Sequence, residues 1–557
     1  MANDIRTGGQ LLVEQLRVHG SDLVFCVPGE SYLAVLDALF DLRRVIRLVV
    51  CRQEGGAANM AEAYGKLTGR PGICFVTRGP GATNASIGVH TAFQDSTPLI
   101  LFIGQVGSDV VEREAFQEMD YRRMFGPMAK WVAQIDRADR IPELLSHAYH
   151  VAVAGRPGPV VLALPEDMLA SSAAAVTVPA YRRVQAHPGS ALAELQQLLA
   201  KAQRPLVILG GGGWSAAACR DIQRFAENHR LPVACAFRRQ DLFDNRHDLY
   251  VGDVGIGINP KLAERVRNAD LVLAVGPRLG EMTTGGYTLF AVPVPQQTLV
   301  HVHAGAEELG RVYAAHLMIN SGMAEFAAEA ARLSAVDARA WQGWREQART
   351  DYLANITPSP TPGTLNLGTV VVWLREHLPA DAIVANGAGN YSAWVHRFYQ
   401  YRGFRTQLAP TSGAMGYGVP AAIAAQLVHP GRTVVCFSGD GCFLMNGQEL
   451  ATAVQYRLDV VFIVVNNGMY GTIRMHQERQ YPGRVYGTDL TNPDFAALAR
   501  AYGAYGELVE RTEDFPAAFE RARASGTPAL LELRIDPEAT TPRTTLSTIR
   551  EAALKRT

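Results

Sequence analysis

The chain has 557 residues, 48% of them hydrophobic and 19% charged, and its 53 basic side chains are balanced by 53 acidic ones. That length exceeds what one hydrophobic core organises, the composition excludes large-scale disorder, and zero net charge gives no electrostatic reason to gather on nucleic acid or anionic membrane. The seven cysteines follow no CxxC spacing and are odd in number, which argues against a disulfide framework and a zinc cluster.

The opening MANDIRTGGQ lacks the basic start and apolar stretch of a signal peptide. No apolar run reaches the roughly 20 residues a membrane helix needs, so the sequence predicts a soluble, cytoplasmic protein. Strand-length apolar runs then alternate with helical stretches: LVFCV near 23, ICFVT near 73, LILFIG near 99 and VVLALP near 160. The rhythm restarts after 203 with RPLVILGGGG, LPVAC, ADLVLAVG and TLVHVH. It restarts again after the Pro/Thr-rich PSPTPGT (358–364) with AIVANG, TVVCFSGDG, VVFIVVNNG and ALLELRI. Such alternation predicts parallel, helix-covered sheets. The expected fold class is α/β, with three Rossmann-like doubly wound domains at residues 1–185, 186–358 and 359–540. The tail, 541–557, has a turn-forming start and a weakly helical end, and a frayed terminus is its default reading.

Two segments carry chemistry. In the third unit a strand runs into Gly439-Asp440-Gly441, a helix follows, and a second strand ends at Asn466-Asn467-Gly468, with Asn467 lying 27 positions after Asp440. Loops at the carboxyl ends of parallel strands face one crevice, so both polar ends converge there. Carboxylate and amide oxygens suit Mg²⁺ shared with a diphosphate, and glycines beside a helix start let phosphates approach free N–H groups. In the first unit, VVCRQEGGAANMAEAYGKLTG places Glu54 at a strand-to-helix turn before two glycines. A carboxylate there is most often a helix cap, but a poorly solvated one can also exchange a proton with a cofactor ring.

The spacing of GDG and NN resembles the thiamine-diphosphate signature. The blocks RQEGGAANMAEAYGKLTGRPGICFVTRGPGATN, AFQEMD, GRPGPVVLALPED, SGAMGYGVPAAIAA and GDGCFLMNGQELATAV extend the resemblance over nearly the whole chain, toward the acetolactate synthase-like branch. The resemblance implies a pyrimidine-binding, a central and a diphosphate-binding domain, thiamine diphosphate with Mg²⁺, and a homodimer or homotetramer whose active sites lie between subunits. It implies Asp440, Asn467 and the Met469 carbonyl as metal ligands and Glu54 as the group that activates the cofactor. It implies further cofactor contacts from Pro28, Gly29, Ala388, Gly389, Asn390, Tyr391, Gly413, Gly439, Gly441, Cys442, Gly471 and Thr472, with Met415 as the wedge that bends the cofactor. Phe116, Gln117 and His476 would shape the substrate channel, and Gln117 and Lys130 would act on the substrate, Lys130 by steering a carboxylate. The implied reaction is decarboxylation of a small 2-oxo acid and ligation of the acyl unit to a second carbonyl. Simple decarboxylation, 2-hydroxyacyl-CoA cleavage and a non-catalytic homologue remain alternatives, and a regulatory subunit is left open.

The chain departs from the family pattern in three places. Gln53 stands where a histidine usually precedes the activating glutamate, removing a group that titrates near neutral pH. IRMHQER offers His476 where a tryptophan is expected. In the central unit, Arg278 is in place, but His303 and Ala304 stand where an acidic residue and its neighbour are expected, and AFRRQDLF replaces a glycine-rich turn. FAD, an ADP-type ligand and an empty site all stay open there.

Overall fold

The computed structural model describes residues 4–176 and 178–556. They form two compact units: Met1–Val184 with Ile423–Val428 and Asn446–Tyr456, and Gln185–Ala422 with His429–Met445 and Arg457–Thr557.

The first unit holds a six-stranded parallel sheet. Its strands are β1 (Leu23–Cys26), β2 (Arg47–Val50), β3 (Gly72–Val76), β4 (Leu99–Gln105), β5 (Trp131–Gln134) and β6 (Pro159–Pro165), in the order β2-β1-β3-β4-β6-β5. Ile5–Thr7 pairs antiparallel with Ser172–Ala174 beside it. Helices on both faces bury β1, β3, β4 and β6 completely, which is why these strands read as unbroken apolar runs.

The second unit holds two more six-stranded parallel sheets. The central one comprises β7 (Pro205–Leu209), β8 (Val233–Ala236), β9 (Tyr250–Val254), β10 (Leu271–Val275), β11 (Thr298–His303) and β12 (Leu317–Asn320), in the order β9-β8-β7-β10-β11-β12. This is the dinucleotide-fold order. The C-terminal one comprises β13 (Ile383–Asn386), β14 (Gln407–Leu408), β15 (Val434–Gly439), β16 (Val460–Asn466), β17 (Tyr505–Val509) and β18 (Ala529–Arg534), in the order β14-β13-β15-β16-β18-β17. The first and C-terminal sheets therefore share one topology without shared letters. In each, the strand order reverses between the first and third strands, and ligands bind at such a reversal.

One expectation is corrected. The tail is not frayed: Leu546–Leu554 is a helix, opened by Thr545, whose side chain accepts from Thr548 N–H. Arg550 from this helix donates twice to Glu478, at 2.8 and 2.5 Å, and Glu478 is fully buried. Arg474 sits on the same carboxylate at 3.0 Å. Hydrogen bonding to Arg550 is the main reason the Glu478 carboxyl is pulled down to about 2.

Candidate functional site

The C-terminal sheet builds a cleft at its strand reversal. Gly387–Asn390 leaves β13, helix α1 (Tyr391–Phe398) follows, and helix α2 (Asp440–Asn446) starts directly at the end of β15. Ala388, Gly389, Asn390, Tyr391, Gly413 and Met415 line this cleft together with Gly439, Asp440, Gly441, Cys442, Asn467, Met469, Gly471 and Thr472. Every residue that sequence reasoning assigned to the diphosphate end thus lines one cavity.

Asp440 is 3% exposed. Burial pushes its carboxyl above the ordinary value, against hydrogen bonds that favour the anion. One oxygen accepts from Gly441 N–H at 2.9 Å, the other from Gly468 N–H and Asn492 Nδ2, both at 2.9 Å. Asn492 also donates to Asn466 Oδ1 at 2.9 Å, tying the ends of β15 and β16 together. Gly468 makes its turn at φ 69°, where a side chain would be strained. Among the described residues no group of three or more His, Cys, Asp or Glu gathers as a metal cage. The donor set is one carboxylate with amide and carbonyl oxygens, which suits a hard cation that completes its shell with phosphate oxygens and water.

The cleft wall is a hydrogen-bonded frame. Asn390 Oδ1 accepts from Thr472 Oγ1 at 2.9 Å, and its Nδ2 donates to Thr540 Oγ1 at 3.1 Å. Tyr391 lies under the loops, its hydroxyl 3.3 Å from Cys442 Sγ, which also accepts from Gly416 N–H. An added Cβ at Gly439 would sit 2.9 Å from the Tyr391 ring, so glycine is needed there for packing. Gly413 differs: its φ is +71° and a Cβ would meet nothing within 4 Å, leaving open room for a ligand. Met415 is half-buried against the sheet core.

In the first unit, Glu54 is the first residue of helix α3 (Glu54–Thr68), with Gln53 as N-cap. Asn84, on helix α4 (Gly79–Asp95), donates from Nδ2 to Glu54 Oε2 at 2.9 Å. A Cβ at Gly81 would lie 3.5 Å from Oε1, an ordinary contact, which places α4 directly beside the carboxylate. Gly29 follows β1 and packs on Thr77, where a Cβ would be 2.5 Å from the threonine Cβ; Pro28 precedes it. Gly79 N–H donates to Gln117 O at 2.9 Å, and Gln117 holds φ 66°. Phe116 beside it is 74% exposed. In the second unit, His476 is exposed on helix α5 (Gly471–Gln480), about one turn after Thr472.

Lys130 is corrected. Its ammonium donates to Val151 O at 2.5 Å and Ala154 O at 2.7 Å, closing the carboxyl end of the helix Ile141–Val153. A cation at the negative end of a helix is engaged there and does not steer a substrate carboxylate.

Sequence reasoning missed Asn492, Thr540 and the segment Arg238–Asp241. Arg238, at φ 59°, donates to Pro410 O and, at 3.5 Å, to Ser392 Oγ; Ser392 in turn donates to Gly389 O at 2.8 Å. Gln240 N–H donates to Gln407 Oε1 at 2.7 Å, and Asp241 Oδ2 accepts backbone N–H groups from Arg405 and Thr406. The signal was present as an unusual RRQD where the family pattern has glycines: the segment braces the loops around Gly389 and Pro410.

The central glycines have a structural reason. A Cβ at Gly211 would sit 1.9 Å from Gly276 O, and one at Gly276 would sit 2.3 Å from Gly210 O. Arg278 is paired with the buried Glu308 at 3.4 Å, and His303 Nδ1 turns back on Gly305 at 3.0 Å.

Three family descriptions match the chain: the N-terminal TPP-binding domain of thiamine pyrophosphate enzymes over residues 6–124, their central domain over 192–330, and their C-terminal TPP-binding domain over 387–533. The chain is 31% identical over 534 residues to the acetolactate synthase isozyme 2 large subunit of Escherichia coli (strain K12), covering 95% of each protein. It is 31% identical over 538 residues to the acetolactate synthase large subunit of Corynebacterium glutamicum, covering 93% of this chain and 84% of that protein. It is 32% identical over 555 residues to the acetolactate synthase large subunit of Parasynechococcus marenigrum, covering 95% and 87%.

Proposed function

Since the chain belongs to the thiamine pyrophosphate enzymes, on their acetolactate synthase-like branch, we propose that it decarboxylates a small 2-oxo acid such as pyruvate and ligates the acyl unit to a second carbonyl. The observation that carries this reading is the cleft at the C-terminal sheet reversal, in which Asp440, Asn467 and Met469 face the glycines of both flanking loops.

Asp440, Asn467 and the Met469 carbonyl would hold Mg²⁺ against a diphosphate, with the N–H groups at the start of α2 facing the phosphates. Gly389, Asn390, Gly413 and Gly441 offer backbone to the cofactor, and Met415 supports its bend from the cleft wall. When bound, thiamine diphosphate supplies a nucleophilic carbon and an electron sink for the loss of CO₂. Glu54 moves the proton that this activation needs. Because Asn84 occupies Oε2, the exchange runs through Oε1. Gln53 caps the helix by accepting from Gly56 N–H at 3.1 Å and has no part in titration near neutral pH.

The active assembly is read as a homodimer or homotetramer in which Glu54 of one subunit serves the cleft of another. Phe116, Gln117 and His476 then line the approach to the substrate. The relatives are large subunits by name, which makes a smaller regulatory partner the natural addition to test. No helix among the described residues is long and apolar enough to cross a membrane. Backbone contact accounts for Gly211 and Gly276, whereas a Cβ at Gly280 would meet nothing within 4 Å, so the glycines do not decide for or against FAD there. An absorbance spectrum of the purified protein decides it: a flavin band means bound FAD, and its absence a flavin-free central domain.

Purified protein with Mg²⁺, thiamine diphosphate and pyruvate should form acetolactate. Acetaldehyde alone would replace ligation with simple decarboxylation, and no turnover would remove pyruvate as donor.

A further inference from the structure

Gly56, two residues after Glu54, and Glu449, which follows the Gly-Asp-Gly helix, meet at one buried contact. Glu449 is fully buried within the first unit. Its Oε1 accepts from Arg52 N–H at 3.0 Å and Gln53 N–H at 2.9 Å, and its Oε2 accepts from Thr452 Oγ1 at 2.6 Å. The two N–H groups are those of the two residues immediately before Glu54. They fall between the end of β2 and the start of α3, where neither sheet nor helix would satisfy them.

The surroundings are built to admit this carboxylate. A Cβ at Gly56 would stand 2.5 Å from Glu449 Oε1, and one at Gly55 would stand 2.7 Å from Gln53 Oε1. Glycine is a poor residue for the first turn of a helix; Gly56 is explained by the close approach of Glu449, and Gly55 by that of the Gln53 side chain. Two more contacts hold the same stretch: Val50 N–H donates to the Tyr456 hydroxyl at 2.8 Å, and Arg52 Nη2 donates to Gln455 Oε1 at 2.6 Å. Burial pushes the Glu449 carboxyl above its ordinary value, a cost that the Thr452 hydroxyl and the two amides offset only in part.

We propose that Glu449 is a positioning residue for Glu54: by anchoring the N–H groups of Arg52 and Gln53, it sets the direction in which Glu54 leaves the strand and hence the geometry of its proton exchange. The proposal rests on the reading of Glu54 as the group that activates the cofactor. It also explains why the EGG of RQEGGAAN and the QEL of GDGCFLMNGQEL belong to one device although they are almost 400 residues apart.

Glu449→Ala and Glu449→Gln in the full-length protein test it. In the cofactor-free protein, amide hydrogen exchange over residues 50–56 should accelerate in Glu449→Ala. In the saturated holoenzyme, exchange of the cofactor's C2 proton should slow about tenfold or more, while cofactor affinity stays within about threefold of wild type. Glu449→Gln keeps an acceptor oxygen and should recover most of both effects. Gly56→Ala pushes a methyl against the same oxygen and should slow C2 exchange without altering Glu449, which covers the case in which Glu449→Ala does not fold. Wild-type C2 exchange in a folded Glu449→Ala or in Gly56→Ala overturns the proposal, as does equal slowing in the Ala and Gln variants. Glu54→Gln measured alongside separates the two levels: if it leaves exchange unchanged, the reading of Glu54 has failed; if it alone slows exchange, only the role of Glu449 has.

Discussion

Glu54 and Asp440 share a local setting after different strands of the common topology, the second, edge strand β2 and the third, interior strand β15: each is the first residue of a helix that follows a parallel strand, at the positive end of the helix dipole. Their hydrogen bonds differ. Asp440 takes two backbone N–H groups and the Asn492 amide, distributed over both oxygens, whereas Glu54 takes the Asn84 amide on Oε2. Three donors fix the orientation of a carboxylate, which suits a cation ligand. One with an oxygen left over suits a proton in transit. The helix start therefore supplies the setting, and the donors around it decide the chemistry.

The largest expected effect comes from removing the fixed carboxylate. Asp440→Ala should abolish Mg²⁺-dependent cofactor binding, measured by calorimetry. It also orphans the Gly441, Gly468 and Asn492 donors, so thermal stability should fall by about 1–3 kcal/mol. Asn492→Ala leaves the carboxylate and removes one of its donors, and should weaken Mg²⁺-dependent binding by about 10–100-fold with Glu54-dependent proton exchange intact once the site is saturated. Equal loss in the two variants would mean that Asn492 is itself a ligand.

A smaller effect belongs to the tail helix, which has no counterpart on the Glu54 side. Arg550→Ala should cost about 1 kcal/mol at neutral pH, read from thermal unfolding, because the Glu478–Arg550 pair is partly open to solvent on the arginine side. The Glu478 carboxyl is lowered from its ordinary value of 4.5 to about 2, so the pair's contribution is full above about pH 4.5 and is lost as pH falls through about 2. The difference between wild type and Arg550→Ala should shrink over that window.

What could be read from the sequence follows from burial. The twelve strands recognised as apolar runs are the four interior strands of each sheet. Arg47–Val50, an edge, was read only as the strand leading into Glu54, and the missed ones are the other edges, Trp131–Gln134, Tyr250–Val254, Leu317–Asn320, Gln407–Leu408 and Tyr505–Val509, with the short pair Ile5–Thr7 and Ser172–Ala174. Several of these alternate exposed and covered positions or stay half-covered, as LMIN, YGELV and RLVV do, so they lack the continuous apolar signature. The metal end of the cleft was legible because GDG and NNG are two short loops at a fixed spacing, whereas Ala388–Tyr391, Gly413 and Met415 were reached only through the family resemblance. Asn492, Thr540 and Glu449 were not, since each is a single polar residue whose partner lies far along the chain. Lys130 misled for the complementary reason: a lysine's reach fits a substrate carboxylate or a helix end equally well, and only coordinates decide between them.

The division between a fixed and a proton-moving carboxylate is tested most directly by the rate at which deuterium replaces the cofactor's C2 proton in Glu54→Gln saturated with thiamine diphosphate and Mg²⁺. The account predicts retained cofactor and a rate at least about 100-fold below wild type. A wild-type rate with full occupancy would contradict it.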